Sequence, residues 1–123
     1  MTIYSHKDLI VWQKGIMLSK QIYLLTEKFP REELYGITSQ MRRAAVSIPS
    51  NIAEGRSRGT RKDFVQFLRI AIGSASELET QIEIAKQLPK TKEYSYKEVD
   101  ILLSEVSRMT MAMIKKLSVK ASP

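Results

Sequence analysis

Six cationic side chains, Arg42, Arg43, Arg56, Arg58, Arg61 and Lys62, lie between positions 42 and 62, where Glu54 is the single acid. Six charges less one leave +5 in that segment, against +7 for the whole chain. The arginine fork matches phosphate oxygens in pairs, and a local excess of positive charge draws polyanions. Gly55 and Gly59 bracket Arg56 and Arg58, so the spacing predicts a tight turn from which guanidinium groups fan outward. The chemistry this pattern supports is phosphate binding rather than bond-breaking. A plainer account makes the segment a solvated loop whose arginines pair with Glu54 or with acids on neighbouring helices. That account covers one or two arginines well and six cations poorly.

Other reactive groupings are sparse. His6 is the single histidine and has no ligand or base partner at a useful spacing. Glu79 and Glu83 share a helix face four residues apart, but two carboxylates seldom hold a divalent ion, and Lys86 and Arg69 stand close enough in sequence to neutralise them. No Glu-x-x-His pair of the kind used in di-metal bundles occurs. No serine stands at a legible spacing from a base. Gly55-Arg-Ser-Arg-Gly59 lacks the Lys-Ser/Thr ending and strand context of a phosphate-binding P-loop. The expectation is therefore no catalytic residue, no metal and no cofactor. Zinc ligands, helix-turn-helix spacing and aromatic-studded strands are absent too, which points to recognition dominated by phosphates and weakly dependent on base sequence.

With 123 residues the chain suits one domain spanning 1–123, able to bury a core without staples. It has no cysteine, so disulfides and thiolate metal sites are excluded. The isoelectric point near 9.7 suits nucleic acid, an anionic surface or simple solubility. The opening MTIYSHKDLIVWQKGIML is too polar before Leu9, and too interrupted by Gln13, Lys14 and Gly15, for a signal peptide. No apolar run approaches the roughly 18 residues that span a bilayer, so the expected location is cytoplasmic, with no membrane partner.

The elements that must carry the cations are helical. Four segments show helical spacing, at about 8–28, 33–54, 61–88 and 96–118. The first places Val11, Leu18, Ile22, Leu25 and Phe29 on one face, with Asp8 as its expected cap and Gly15 marking a close approach of helices. The second aligns Ile37, Met41, Ala44, Ala45, Ile48 and Ile52. Its stripe keeps phase across Pro49, which predicts a kinked but continuous helix ending at Gly55. Thr60 and Asp63 form an acid-variant capping box ahead of a third stripe, Phe64, Phe67, Ala71, Ala75, Leu78, Ile82 and Ala85. Ser95 and Glu98 do the same for the fourth, Val99, Leu102, Val106, Met109, Met113 and Leu117. Four amphipathic helices with short loops bury their stripes most simply as an all-α, antiparallel up-down-up-down four-helix bundle.

Off the stripes, Arg43 and Val46 point outward from the second helix, with Arg42 on one flank and Asn51 on the other. Ile70, Ile84 and Leu88 stand away from the main stripe of the third helix. Together with Val46 they predict an oligomer interface. Lys115, Lys116 and Lys120 extend the basic surface or complement the dipole of the last helix.

Several of these segments also resemble a known family. Leu34-Tyr35-Gly36, Arg42-Arg43-Ala44-Ala45, Ile48-Pro49-Ser50-Asn51-Ile52-Ala53-Glu54-Gly55 and Glu77-Leu78-Glu79-Thr80-Gln81 are similar to motifs of the 23S rRNA intervening-sequence proteins, also called S23 ribosomal proteins. The accessory variability determinant of diversity-generating retroelements is a relative. The resemblance runs from Asp8 to about Leu88, continues by pattern through the fourth helix, and departs at Pro89 and the lysines after it. It implies a bacterial cytoplasmic protein, a left-handed bundle and a homopentamer of basic character. It implies no enzymatic activity, and a partner such as a reverse transcriptase only in the retroelement setting.

The combined expectation is a non-enzymatic, oligomeric nucleic-acid-binding protein, with RNA favoured, contacting phosphates through Arg42, Arg43, Arg56, Arg58, Arg61 and Lys62. The alternative is a protein-interaction scaffold whose charge serves solubility or steering.

Overall fold

A computed structural model describes residues 5–121, with side chains described for residues 5–118. It contains four helices: α1 (Ile10–Thr26), α2 (Ser39–Ser57), α3 (Arg61–Gln87) and α4 (Lys97–Ala121). Each packs on its neighbour in sequence, and α1 closes the ring against α4. Cross-contacts give their directions. Thr26 meets Arg42 while Ser19 meets Ala45, and Ser47 meets Ser74 while Gly55 meets Phe64 and Phe67. Positions rise on one helix as they fall on the next, so these neighbours run antiparallel. No strand occurs among the described residues, and the all-α four-helix bundle read from the stripes is the fold.

The core is a single cluster fed by all four helices. Leu18, Ile22, Met41, Ile48, Ile52, Leu68, Leu78, Ile82 and Val106 are fully buried in it. Each such side chain contributes about 1.5–3 kcal/mol by leaving water, which outweighs any helix propensity in these segments. Two stripes need adjustment. Phe64 and Phe67 are only half-buried, and Leu68 fills the central position instead. In α4, Leu103 and Ile114 are buried while Met109, Met113 and Leu117 lie at the margin.

Helix ends differ from the expected ones for local reasons. Asp8 does not cap α1: it sits in a 3-10 turn, His6–Asp8, capped by Ser5, and α1 opens after Leu9 without a side-chain cap. Tyr96 rather than Ser95 stands at the start of α4, since its carbonyl accepts from Asp100 N–H at 2.9 Å. The second helix begins six residues late, at Ser39 rather than 33. Ahead of it come a 3-10 turn, Arg31–Glu33, and a π-type turn, Leu34–Thr38, in which Gly36 leaves the helical region at φ −112°, ψ −116°. Leu34 and Tyr35 are exposed there, so no apolar side chain anchors a regular first turn before Ile37.

Pro49 lies within one continuous helix, as its unbroken stripe predicts. Proline has no N–H to give the carbonyl four residues back, which is that of Ala45. Ser19 of α1 supplies a proton instead. Its hydroxyl lies 3.1 Å from the Ala45 carbonyl and 3.0 Å from its own Gly15 carbonyl, and shares one hydrogen between them. A Cβ on Gly15 would come within 3.2 Å of the Pro49 ring, so this glycine does mark a close helix approach.

Candidate nucleic-acid interface

The cations at the α2 exit are presented by a tight corner. Gly55 does not end the helix: α2 continues to Ser57, and Gly55 is buried inside it. A Cβ there would lie 2.6 Å from the Phe67 Cβ, so α2 and α3 touch backbone to side chain at this level. The reversal falls instead at Gly59, whose φ of 88° is the only positive value among the described residues. Thr60 then caps α3, accepting from the Asp63 N–H at 3.1 Å. Four cations, Arg56, Arg58, Arg61 and Lys62, therefore surround one rigid turn.

Their settings differ. Arg58 donates from Nε to Glu54 at 2.8 Å and lies over the Phe67 ring, 5.0 Å from its centre. That ion pair is half exposed on both sides, a class worth about 0–1 kcal/mol, so a phosphate competes for it readily. Arg56 is half-buried, whereas Arg61 and Lys62 are exposed on the first turn of α3. Arg43 is exposed farther down α2. The 13 residues separating it from Arg56 correspond to about 20 Å of helix. It borders a groove of about 350 Å³ between α2 and α3, with Gln40, Ser47, Ser74, Glu77 and Gln81 in its walls. Asn51 donates to Ser47, and the Ser47 and Ser74 hydroxyls are 2.8 Å apart, which ties the two helices beneath the groove.

Arg42 stands apart. Consecutive helical residues diverge by about 100°, which turns Arg42 toward α1 while Arg43 faces out. Its Nε donates to the Thr26 hydroxyl at 2.9 Å, and its guanidinium lies 4.5 Å from the centre of the Tyr23 ring. The structure thus gathers four of the six expected cations at the corner, leaves Arg43 about 20 Å away beside the α2–α3 groove, and turns Arg42 toward α1. Lys115 and Lys116 are exposed, and the side chain of Lys120 lies outside the described residues.

Of the expected interface positions, Val46, Ile70 and Ile84 are exposed, whereas Leu88 is half-buried. A second apolar series, Ile10, Met17 and Leu24, is exposed at seven-residue spacing on α1. Sequence reading missed it because attention to the core stripe hides a weaker stripe on the other face. His6 packs edge-on against Trp12, with ring centres 5.1 Å apart. Lys86 bridges Glu83 at 3.2 Å and Asp100 at 2.8 Å, and the Asp100 bond foremost raises its pKa. No three of His, Cys, Asp and Glu are grouped to hold a metal ion among the described residues. No helix there is long and apolar enough to cross a membrane.

Against this geometry, a family model described as 23S rRNA-intervening sequence protein matches residues 7–112. The chain belongs to that family. The match to the 23S rRNA-intervening sequence family takes in the segment from Arg42 to Gly55 and extends past Leu88 through most of α4. A solved structure from Bacteroides thetaiotaomicron, described as a protein with unknown function from the S23 ribosomal protein family, is similar in fold. It superposes with a TM-score of 0.73 at 24% identity, covering 86% of this chain and 99% of its own. Among curated proteins none matches the chain.

Proposed function

We propose that this family member is a non-enzymatic, oligomeric nucleic-acid-binding protein of the bacterial cytoplasm that holds structured RNA by its phosphates. One observation carries the reading: Arg56, Arg58, Arg61 and Lys62 are crowded around a corner fixed by Gly55, Gly59 and Thr60. Arg43 is a fifth candidate contact, about 20 Å along α2 from the corner, where it shares a groove with Glu77. Arg42 is left out of the patch because its contacts are with α1.

Oligomerisation through Val46, Ile70 and Ile84, with Leu88 at the margin, would repeat the corner around a ring, and the family resemblance implies five subunits. Repetition raises avidity without adding a contact to any one subunit.

Five phosphate contacts per subunit set a slope of log K against log salt of about −3.5 for single strands and −4.5 for a duplex. Fluorescence anisotropy with a structured RNA between 50 and 300 mM salt tests this directly, and a flat profile refutes it. Charge reversal of Arg61 and Lys62 should abolish retention while leaving helicity unchanged. Retained binding by that variant would remove the corner from consideration.

A second reading has its own support. The exposed Ile10, Met17 and Leu24 series on α1 suits a scaffold that docks another protein. Under that reading, purified protein shows a protein-like 260/280 nm absorbance ratio and no salt-dependent RNA binding.

A further inference from the structure

The α1–α2 connection builds a second polar site, separate from the basic corner. Between the last turn of α1, the 30–38 connection and α2 lies an open cavity of about 260 Å³, the volume of roughly nine waters. Phe29, Pro30 and Leu34 give it mostly apolar walls, and Thr38 and Arg42 line its α2 side.

Thr38 is the unusual member. The hydroxyls of Thr26, Thr80 and Thr110 each donate to the carbonyl four residues back. Thr60 caps α3, and Thr91 donates to the Ala85 carbonyl. Thr38 is 2% exposed, yet its hydroxyl has no hydrogen-bond partner among the described residues. Its helical partner would be the carbonyl of Leu34, but Gly36 breaks the helical register between them. A buried hydroxyl without a partner is costly, and because its oxygen is closed to solvent, a ligand acceptor in the adjoining cavity reaches it only when the 30–38 connection shifts.

Arg42 supplies the charge. Its Nε is held by Thr26 and its flat face by Tyr23, which fixes the fork in place without consuming its terminal nitrogens. Arg31 adds a second cation at the rim, and Glu27 opposes it there. That carboxylate penalises a dianion such as phosphate more than a single negative charge.

We propose that this cavity binds a small organic carboxylate with a compact apolar body. The carboxylate pairs with the terminal nitrogens of Arg42 and accepts from the Thr38 hydroxyl, while its apolar part lies against Phe29, Pro30 and Leu34. The site is independent of nucleic-acid binding at the corner.

Benzoate and its neutral isostere benzamide test the proposal by amide chemical-shift mapping, at concentrations up to about 10 mM, which reads weak sites. Benzoate should saturably shift the amides of Leu34, Gly36, Thr38 and Arg42, and benzamide should not. Arg42→Lys keeps the charge but loses the fork and should weaken benzoate roughly tenfold or more. Thr38→Val should weaken it about as much while melting no lower than the parent protein. No effect of benzoate, equal effects of the two compounds, or shifts confined to the basic corner would overturn the site. A Thr38→Val variant that melts markedly lower would show the hydroxyl already bonded within the protein, and would overturn it too.

Discussion

The two ends of α2 solve the same problem, reversing the chain between packed helices, in opposite ways. At the α2–α3 corner a glycine in the left-handed region makes the turn, threonine caps the next helix, and four cations cluster around the turn. At the α1–α2 corner the chain passes through a 3-10 turn and a π-type turn, one threonine hydroxyl is left over, and an arginine is drawn against α1. The difference teaches that an arginine's role is set by its neighbours rather than by its motif. Arg42 and Arg43 are adjacent in sequence, yet one braces a helix seam and the other faces solvent.

The contrast is sharpest where packing is tightest. Gly55→Ala should lower stability by about 3 kcal/mol, because its Cβ would overlap the Phe67 side chain and force α2 away from α3. Urea denaturation reads this as a lower midpoint with unchanged slope. A loss below about 1 kcal/mol would mean that the corner yields easily, and the rigid-turn argument would fail with it.

Next in size is a pair within the other corner. Thr26→Val removes both the charge-assisted bond from Arg42 and the bond to the Ile22 carbonyl, and should cost about 2 kcal/mol. Thr38→Val removes an unpartnered hydroxyl and should cost nothing measurable. Equal losses in thermal melts of the two variants would erase the distinction drawn between these threonines. Thr60→Ala at the α2–α3 corner should cost about 1 kcal/mol through loss of the cap, read in the same melts.

The smallest effect concerns acid. Glu32 within the connection pairs with Lys90, and that hydrogen bond foremost holds its carboxyl below the ordinary range. A lowered folded pKa means that the stabilisation is present above the ordinary value and is lost as pH falls through the lowered one. Both groups are on the surface, so Glu32→Gln should leave the neutral melt nearly unchanged and slightly flatten its decline in acid.

Much of the α2–α3 corner was legible beforehand, and the reasons are physical. A threonine three residues before an acid, just after a glycine, has few other uses, so the cap at Thr60 could be read directly. Gly15 in mid-helix likewise signalled a close approach. Gly55 was misleading because a glycine that ends a helix and one that lets two helices touch look alike until the partner, Phe67, is placed. The α1–α2 corner was opaque for a different reason. Leu34 to Thr38 keeps a plausible helical spacing, and nothing local reveals that Gly36 leaves the helix. Helical angles put Arg42 on a flank but could not name Tyr23 and Thr26 as its partners, since those lie across a seam that only tertiary structure creates.

Ser19 carries a consequence for how the chain assembles. An isolated α2 would hold a carbonyl at Ala45 that Pro49 cannot serve, so the middle of that helix is incomplete until α1 arrives with its hydroxyl. The two segments should therefore open and close as one cooperative unit. Native-state hydrogen exchange should show the amides flanking Pro49 losing protection together with those around Ser19, ahead of the amides in the middle of α3.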